Sequence, residues 1–231
     1  MSLAEACTQP LATALCTSGL AVEGKIARAA GFSVVVGGGD RDRTKFLVET
    51  AAARTDCLVS FGIAGGLAPG LAAGTVIVSG EVVSDGQCWK VDAQHGDRLS
   101  EFARTVGAIE GPVFGASSVV ATQLDKQRLW AATGALAVDL ESEIVARTAT
   151  MLGIPFLVLR TVADTAQRDL PPASLIPLAA NGTPNHGRVF AEVLRRPLQL
   201  AGMIGLAHEA GRALSALIGP ARALHALVGA A

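Results

Sequence analysis

The stretch Val138-Asp139-Leu140-Glu141-Ser142 sets two carboxylates and a hydroxyl at the end of an apolar run. Charges are seldom placed at the end of a buried strand without purpose. Side chains alternate along a strand, so Asp139 and Glu141 share a side if the strand continues through them. The structural alternative is a helix start, with Asp139 as its N-cap and an acidic first turn favoured by the dipole. A third acid, Asp164, closes Leu159-Arg160-Thr161-Val162-Ala163-Asp164. A carboxyl group in a half-apolar cleft is held protonated by desolvation and can serve as a general acid. The plainer alternative is a turn cap. Two Gly-rich segments accompany these acids: Ser60-Phe61-Gly62-Ile63-Ala64-Gly65-Gly66-Leu67, and Gly37-Gly38-Gly39 followed by Asp40-Arg41-Asp42-Arg43. Small residues after a strand let a ligand approach the backbone and leave amide N–H groups to face it. The arginine fork suits phosphate; the alternative for Arg41 and Arg43 is a solvated charged turn. Cys7, Cys16, Cys57 and Cys88 form no CxxC and no metal-type pairing with His95, His186, His208 or His225.

These residues need a scaffold that gathers them. The pattern predicts strands at 11–16, 32–36, 57–63, 135–140 and 155–162, and extended stretches at 75–83 and 112–121. Helices are predicted at 21–30, 43–54, 125–132 and 141–152, with Gly153 and Pro155 stopping the last. Strands alternating with helices imply an α/β fold: a mixed, largely parallel central sheet covered on both faces, in three layers. With neither a repeat nor a linker, residues 1–231 read as one domain. In such sheets ligands sit at the C-terminal strand ends. That brings the segments after Val36, Phe61, Ala121, Val138 and Val162 around one cleft.

Composition excludes several classes. Of 231 residues, 50% are apolar and 17% charged, which argues against disorder. Nineteen basic against twenty acidic residues leave a charge of −1, so no basic field draws nucleic acid. The cysteine pattern suggests a reducing cytoplasm without disulfides. Glu5, with no basic region before an apolar run, argues against a signal peptide, and no run is apolar and long enough to span a membrane.

Residues 186–231 differ in character and are expected to form an apolar helical extension. Leu200, Met203, Ile204, Leu206, Ala207, Leu214, Leu217 and Ile218 give a broad apolar face at helical spacing, interrupted at Gly219-Pro220. The plain reading is a helix packed on the core or on a second subunit. The sharper one is a surface that touches lipid or an apolar substrate.

In combination, Ala64-Gly65-Gly66-Leu67, Asp139-Leu140-Glu141 and Asp164 resemble the purine nucleoside phosphorylase and methylthioadenosine nucleosidase superfamily over residues 12–166. Gly19-Leu20 with Glu23, the Gly-Gly-Asp-Arg stretch, Leu170-Pro171-Pro172 and the tail after Arg195-Arg196-Pro197 resemble its hopanoid-associated phosphorylase branch. The resemblance implies an enzyme that cleaves the N-glycosidic bond of an adenine nucleoside. Glu141, with Leu140, would bind the ribose. Val138, Asp139, Val119, Val120 and Asp164 would surround the base, and Asp164 would protonate N7. Glu23 would stand near the sugar or the attacking oxygen. Gly38, Gly39, Arg41, Ile63, Ala64 and Gly65 would hold phosphate or the nucleophile. No metal or cofactor is implied beyond inorganic phosphate as co-substrate. The implied substrate is adenosylhopane, whose 5′ end is a triterpenoid. The implied setting is a cytoplasmic homo-oligomer with peripheral membrane contact through its C-terminal helices.

The chain departs from the superfamily at several places. Ile63 stands where phosphorolytic relatives often carry Ser, Ala163 where Ser precedes the acid, and Thr75 where Gly-Asp is common. No aromatic residue lies near Ser118-Val119-Val120 to stack on a purine. A hydrolase of the methylthioadenosine or futalosine type, or a catalytically silent nucleoside-binding protein, are the alternatives.

Overall fold

The computed structural model describes residues 13–229. Ten strands form one mixed sheet: β1 (Ala14–Ser18), β2 (Ser33–Val36), β3 (Cys57–Gly66), β4 (Val76–Ser79), β5 (Glu81–Ser84), β6 (Gln87–Lys90), β7 (Ile109–Glu110), β8 (Val113–Gly115), β9 (Ala137–Asp139) and β10 (Phe156–Asp164). The helices are α1 (Ala21–Ala30), α2 (Arg41–Ala52), α3 (Ala93–Val106), α4 (Gln123–Thr133), α5 (Ser142–Leu152), α6 (His186–Arg195) and α7 (Leu200–Gly229). Leu11 and Ala12 of the strand predicted at 11–16, like Glu5 and Cys7, lie outside the described residues.

β3 is the spine. Its first half pairs in parallel with β1, its last two glycines pair antiparallel with β9, and β10 runs parallel along its other edge. Every residue of β10 is buried, as its unbroken apolar run requires of a strand covered on both faces. On one face, Ala27 of α1, Leu99 and Phe102 of α3, and Leu217, Ala221 and Leu224 of α7 pack over β3 and β10. On the other, Val48 and Ala52 of α2 meet Ile144, Val145 and Ala149 of α5. This is the three-layer α/β arrangement expected from the alternation.

Several predicted boundaries shift. The stretch 75–83 is two strands, because Gly80 separates β4, which pairs with β10, from β5, which pairs with β8. A Cβ at Gly80 would lie 2.5 Å from Val91, so a close crossing sets that break. The stretch 112–121 keeps only three residues of strand, and 116–122 is loop. Helix α3 was not predicted, although Leu99, Phe102 and Ala103 supply a buried stripe at i, i+3 and i+4.

The expected interruption at Gly219-Pro220 is absent: α7 continues through Pro220. Leu217 and Ala221 flank the proline and are fully buried, and this tertiary anchoring outweighs the lost backbone bond. The buried stripe is Ala213, Leu217, Ala221, Leu224 and Val228. Of the residues expected to be the apolar face, Leu200, Ile204 and Ile218 are exposed instead.

Candidate active site

Arg160 organises the acids. It is fully buried in β10, where a guanidinium is tolerable only among anions and acceptors. Its Nη2 donates to Glu141 Oε2 at 3.1 Å and to Ser60 Oγ at 2.6 Å, and its Nη1 to the Ile63 carbonyl at 3.2 Å. Its Nε lies 3.0 Å from Asp139 Oδ2, close enough for charge attraction without the alignment of a hydrogen bond. Sequence reasoning gave Arg160 no role, although an arginine inside so apolar a run was itself a signal that partners must surround it.

Asp139 resolves toward the structural alternative. Its Oδ1 accepts from the amides of Glu141 at 2.9 Å and Ser142 at 2.7 Å, opening α5, while Oδ2 accepts from Ser142 Oγ. Both carboxylate oxygens are thus engaged within the protein, which leaves the backbone of Asp139 as the part expected beside a base. Glu141 is freer. Beyond Arg160 its Oε1 reaches over Gly19, where a Cβ would come within 2.6 Å. Burial, then Asp139, push its carboxyl above the usual range, against the pull of Arg160.

Glu23 comes from α1 and caps that helix, accepting from the Leu20 amide at 2.8 Å. Its other oxygen accepts from the Ile63 amide at 2.8 Å, across forty residues of chain. The carboxylate lies flat on Gly62, where φ is +150° and a Cβ would fall 2.4 Å from Oε1. Only glycine fits there. Three carboxylates (−3) around one guanidinium (+1) would leave −2 in a buried site. Burial foremost, with Glu141 adding to it, pushes Glu23 up to about 7.

Asp164 ends β10 after a bulge: Val162 pairs with Ala64 and Asp164 with Gly65, so Ala163 is the extra residue and the acid is re-aimed. Burial raises its carboxyl above the usual value, against Lys126. Asp164 lines a cavity of about 90 Å³ with Gly65, Ser118, Val119, Val120, Val138, Asp139, Leu140 and Leu170. All the residues expected to surround a base meet here, and the walls are aliphatic. Ile63 and Ala64 lie just behind on β3. Lys126, which sequence reasoning also missed, is fully buried against Asp164. No local signal marks it, since its partners lie 38 and more residues along the chain.

Several of the residues expected to hold phosphate are engaged elsewhere. The Gly38 amide donates to the Gly19 carbonyl at 3.1 Å. A Cβ at Gly38 would meet the carbonyl oxygens of Ala179 and Ala180 at 3.1 Å, and one at Gly39 would meet Leu178. The 178–182 turn thus covers this loop with acceptors, which repel an anion. Arg41 is paired with Glu143 of α5, and the Ile63 amide is taken by Glu23. Gly65 lines the small cavity beside Asp164 instead.

A larger apolar cavity of about 450 Å³, lined by Cys57, Phe102, Phe156 and Leu224, lies at the N-terminal end of β3 and β10, away from these acids.

Residues 32–195 match the family model described as the phosphorylase superfamily, well over half of the chain. The chain belongs to that family, whose enzymes are of the nucleoside phosphorylase or nucleosidase type. The matched stretch holds Asp139, Glu141 and Asp164 but not Glu23. The fold is similar to that of the 5′-methylthioadenosine/S-adenosylhomocysteine nucleosidase of Neisseria meningitidis in complex with methylthio-immucillin-A. That similarity has 18% identity, covers 96% of this chain and 100% of that one, and has a TM-score of 0.65. The S-adenosylhomocysteine nucleosidase of Streptococcus pyogenes with 5-methylthiotubericidin follows, at 17% identity, 93% and 98% coverage and a TM-score of 0.64. A futalosine hydrolase mutant of Helicobacter pylori strain 26695 is similar at 15% identity, 69% and 90% coverage and a TM-score of 0.59. No curated protein matches the sequence.

Proposed function

We propose that the chain cleaves the N-glycosidic bond of an adenine nucleoside and releases adenine. The observation that supports this best is the meeting of Asp164 and Val138–Leu140 in one small cavity, with Glu23 held at Ile63. Ile63 lies two residues back along β3, about 7 Å at the strand rise. A cavity of about 90 Å³ suits a flat ring and leaves the sugar outside it, toward Gly19 and Glu141.

The chemistry is balanced by two acids in opposite states. As the C1′–N9 bond breaks, its electron pair passes to the purine, and Asp164 gives its proton to N7. Glu141 and Leu140 hold the ribose, whose positive charge Glu141 favours. An oxygen nucleophile attacks C1′. Water fits better than phosphate, because Glu23 occupies the Ile63 amide and is placed to accept the proton that water loses. The phosphorolysis implied by the resemblance would need the Gly38–Gly39 loop to be uncovered. The reaction requires no metal or cofactor.

The resemblance to the hopanoid-associated branch adds a lipid-like 5′ group, as in adenosylhopane. Helix α6 supports it: none of its residues is buried, and Phe190 and Leu194 are each 65% exposed, with Leu198 97% exposed just beyond. Arg188, Arg195 and Arg196 border this strip, and Glu192 is its one acid. Such a helix suits the face of an anionic membrane, from which an apolar substrate would enter. None of the described helices is long and apolar enough to cross a membrane.

Incubation with adenosines carrying methylthio or long alkyl 5′ groups, with and without phosphate, tests the proposal by adenine release. Ribose as the co-product indicates water, and ribose 1-phosphate indicates phosphate. Preference for the methylthio group favours a methylthioadenosine-type hydrolase. A nucleoside bound tightly but never cleaved favours a sensor and overturns the enzyme.

A further inference from the structure

Lys126 brings a fully buried ammonium to the candidate acid. Its Nζ donates to Asp164 Oδ2, to the Thr165 carbonyl at 3.0 Å and to the Arg168 carbonyl at 2.9 Å. Three acceptors for three N–H groups is the full complement of a protonated lysine. A buried ammonium is best matched by an anion, the state that Asp164, the carboxyl group within reach, enters when it gives up its proton. Two further charges act on Asp164, Arg168 and Glu209 of α7. Those two bind each other at 2.6 Å and largely cancel, so Lys126 is the cation left to act on the acid.

The same lysine ties α4 to the loop after β10. Two neighbouring bonds repeat the tie: the Gln123 amide donates to Asp169 at 2.7 Å, and the Leu170 amide to the Ala121 carbonyl at 2.8 Å. Val120 and Leu170, the walls of the base cavity, stand on the two segments so joined.

We propose that Lys126 is a positioning residue for Asp164, fixing one carboxylate oxygen and supplying in advance the counter-charge that the acid needs once its proton has gone to the purine. The inference rests on the reading of Asp164 as the acid. In the step itself the Asp164 proton moves to N7 and the glycosidic electron pair leaves with the purine. Lys126 stays an ammonium throughout, so no proton passes to or from it. Solvent returns the proton to Asp164 after adenine departs. Without Lys126 the same donation would create a bare carboxylate in an aliphatic cavity.

Two measurements on Lys126→Met test this. In the ligand-free protein, the 13C carboxyl titration of Asp164, identified by its loss in Asp164→Asn, should move about one pH unit or more upward, since an ammonium favours the carboxylate. In turnover, kcat for adenine release should fall about 100-fold, with the alkaline limb of the pH profile moved up. Activity on a nitrophenyl riboside, whose leaving group needs no proton, should be unaffected. In an Asp164→Asn background the lysine change should cost little more. Lys126→Arg, which keeps the charge, should hold the Asp164 titration near its original place. An unmoved Asp164 titration, or equal losses on both substrates, overturns the proposal. Should Lys126→Met fail to fold, the 15N resonance of Lys126 Nζ in the unaltered chain decides. It must follow the Asp164 titration, and a resonance indifferent to it overturns the proposal. Absence of adenine release from the unaltered chain would defeat the proposed function, while the titration still judges Lys126.

Discussion

The Ile63 amide donates to Oε1 of Glu23 at 2.8 Å. One hydrogen bond thus joins the Gly-rich tip of β3 to the first turn of α1, and the backbone donor on which an anion would rest is closed by a carboxylate. The bond also fixes Glu23 on the β3 side of the site, two residues from the point where Asp164 pairs with Gly65.

The first consequence concerns the nucleophile. Adenine release should be insensitive to phosphate, with free ribose as the sugar product. A rate that climbs with phosphate in the millimolar range, or recovery of ribose 1-phosphate, would show that the amide of Ile63 is surrendered on binding.

The second concerns pH. Glu23 must be ionised to accept a proton from water, and its carboxyl is pushed up to about 7. The rate should therefore rise with pH on the limb set by Glu23, at about 7, and fall on the alkaline limb where Asp164 loses its proton. Glu23→Gln should lose the first of these limbs along with about 100-fold or more of kcat. The sign for stability is opposite: a raised carboxylate favours the neutral form in the fold, so its contribution is present at low pH and drains away as pH rises through 7. Thermal melts of the two proteins across pH 5 to 8 measure that difference.

Asp164→Asn removes the proton donor while keeping the shape of the cavity. Its kcat for adenine release should drop by about 10²–10⁴. Adenine binding, followed by calorimetry, should persist. A near-normal rate would remove Asp164 from the mechanism.

Arg160→Met should be severe. It strands Asp139 and Glu141 in a buried site, and breaking a buried pair in this way costs about 3–5 kcal/mol. Denaturant titration should show a loss of that order. The triple change with Asp139→Asn and Glu141→Gln should recover part of it, because the stranded charges are then gone.

The membrane strip predicts sedimentation with vesicles containing anionic lipid and little with zwitterionic ones. Phe190→Glu with Leu194→Glu should abolish it without slowing cleavage of a water-soluble 5′-methylthioadenosine. Light scattering would reveal whether the strip instead joins two subunits.

The local features were readable in the sequence. Strand-ending acids, Gly-rich tips, the buried run of β10 and the glycine stop of α5 each depend on neighbours a few residues away, and periodicity records those. Even α3 was legible in its Leu99, Phe102 and Ala103 spacing. What each acid does depends on partners far along the chain. Arg41 is bound to Glu143, 102 residues on, a partner that no local pattern announces. Asp139 turns inward to start α5, while Arg160 collects charges from three elements. Lys126 reaches Asp164 from a helix whose own sequence gives no reason for a lysine there. Charge and hydrogen bonding act through space in a low-dielectric interior, so the roles of these groups were decided only once the sheet had folded them into contact.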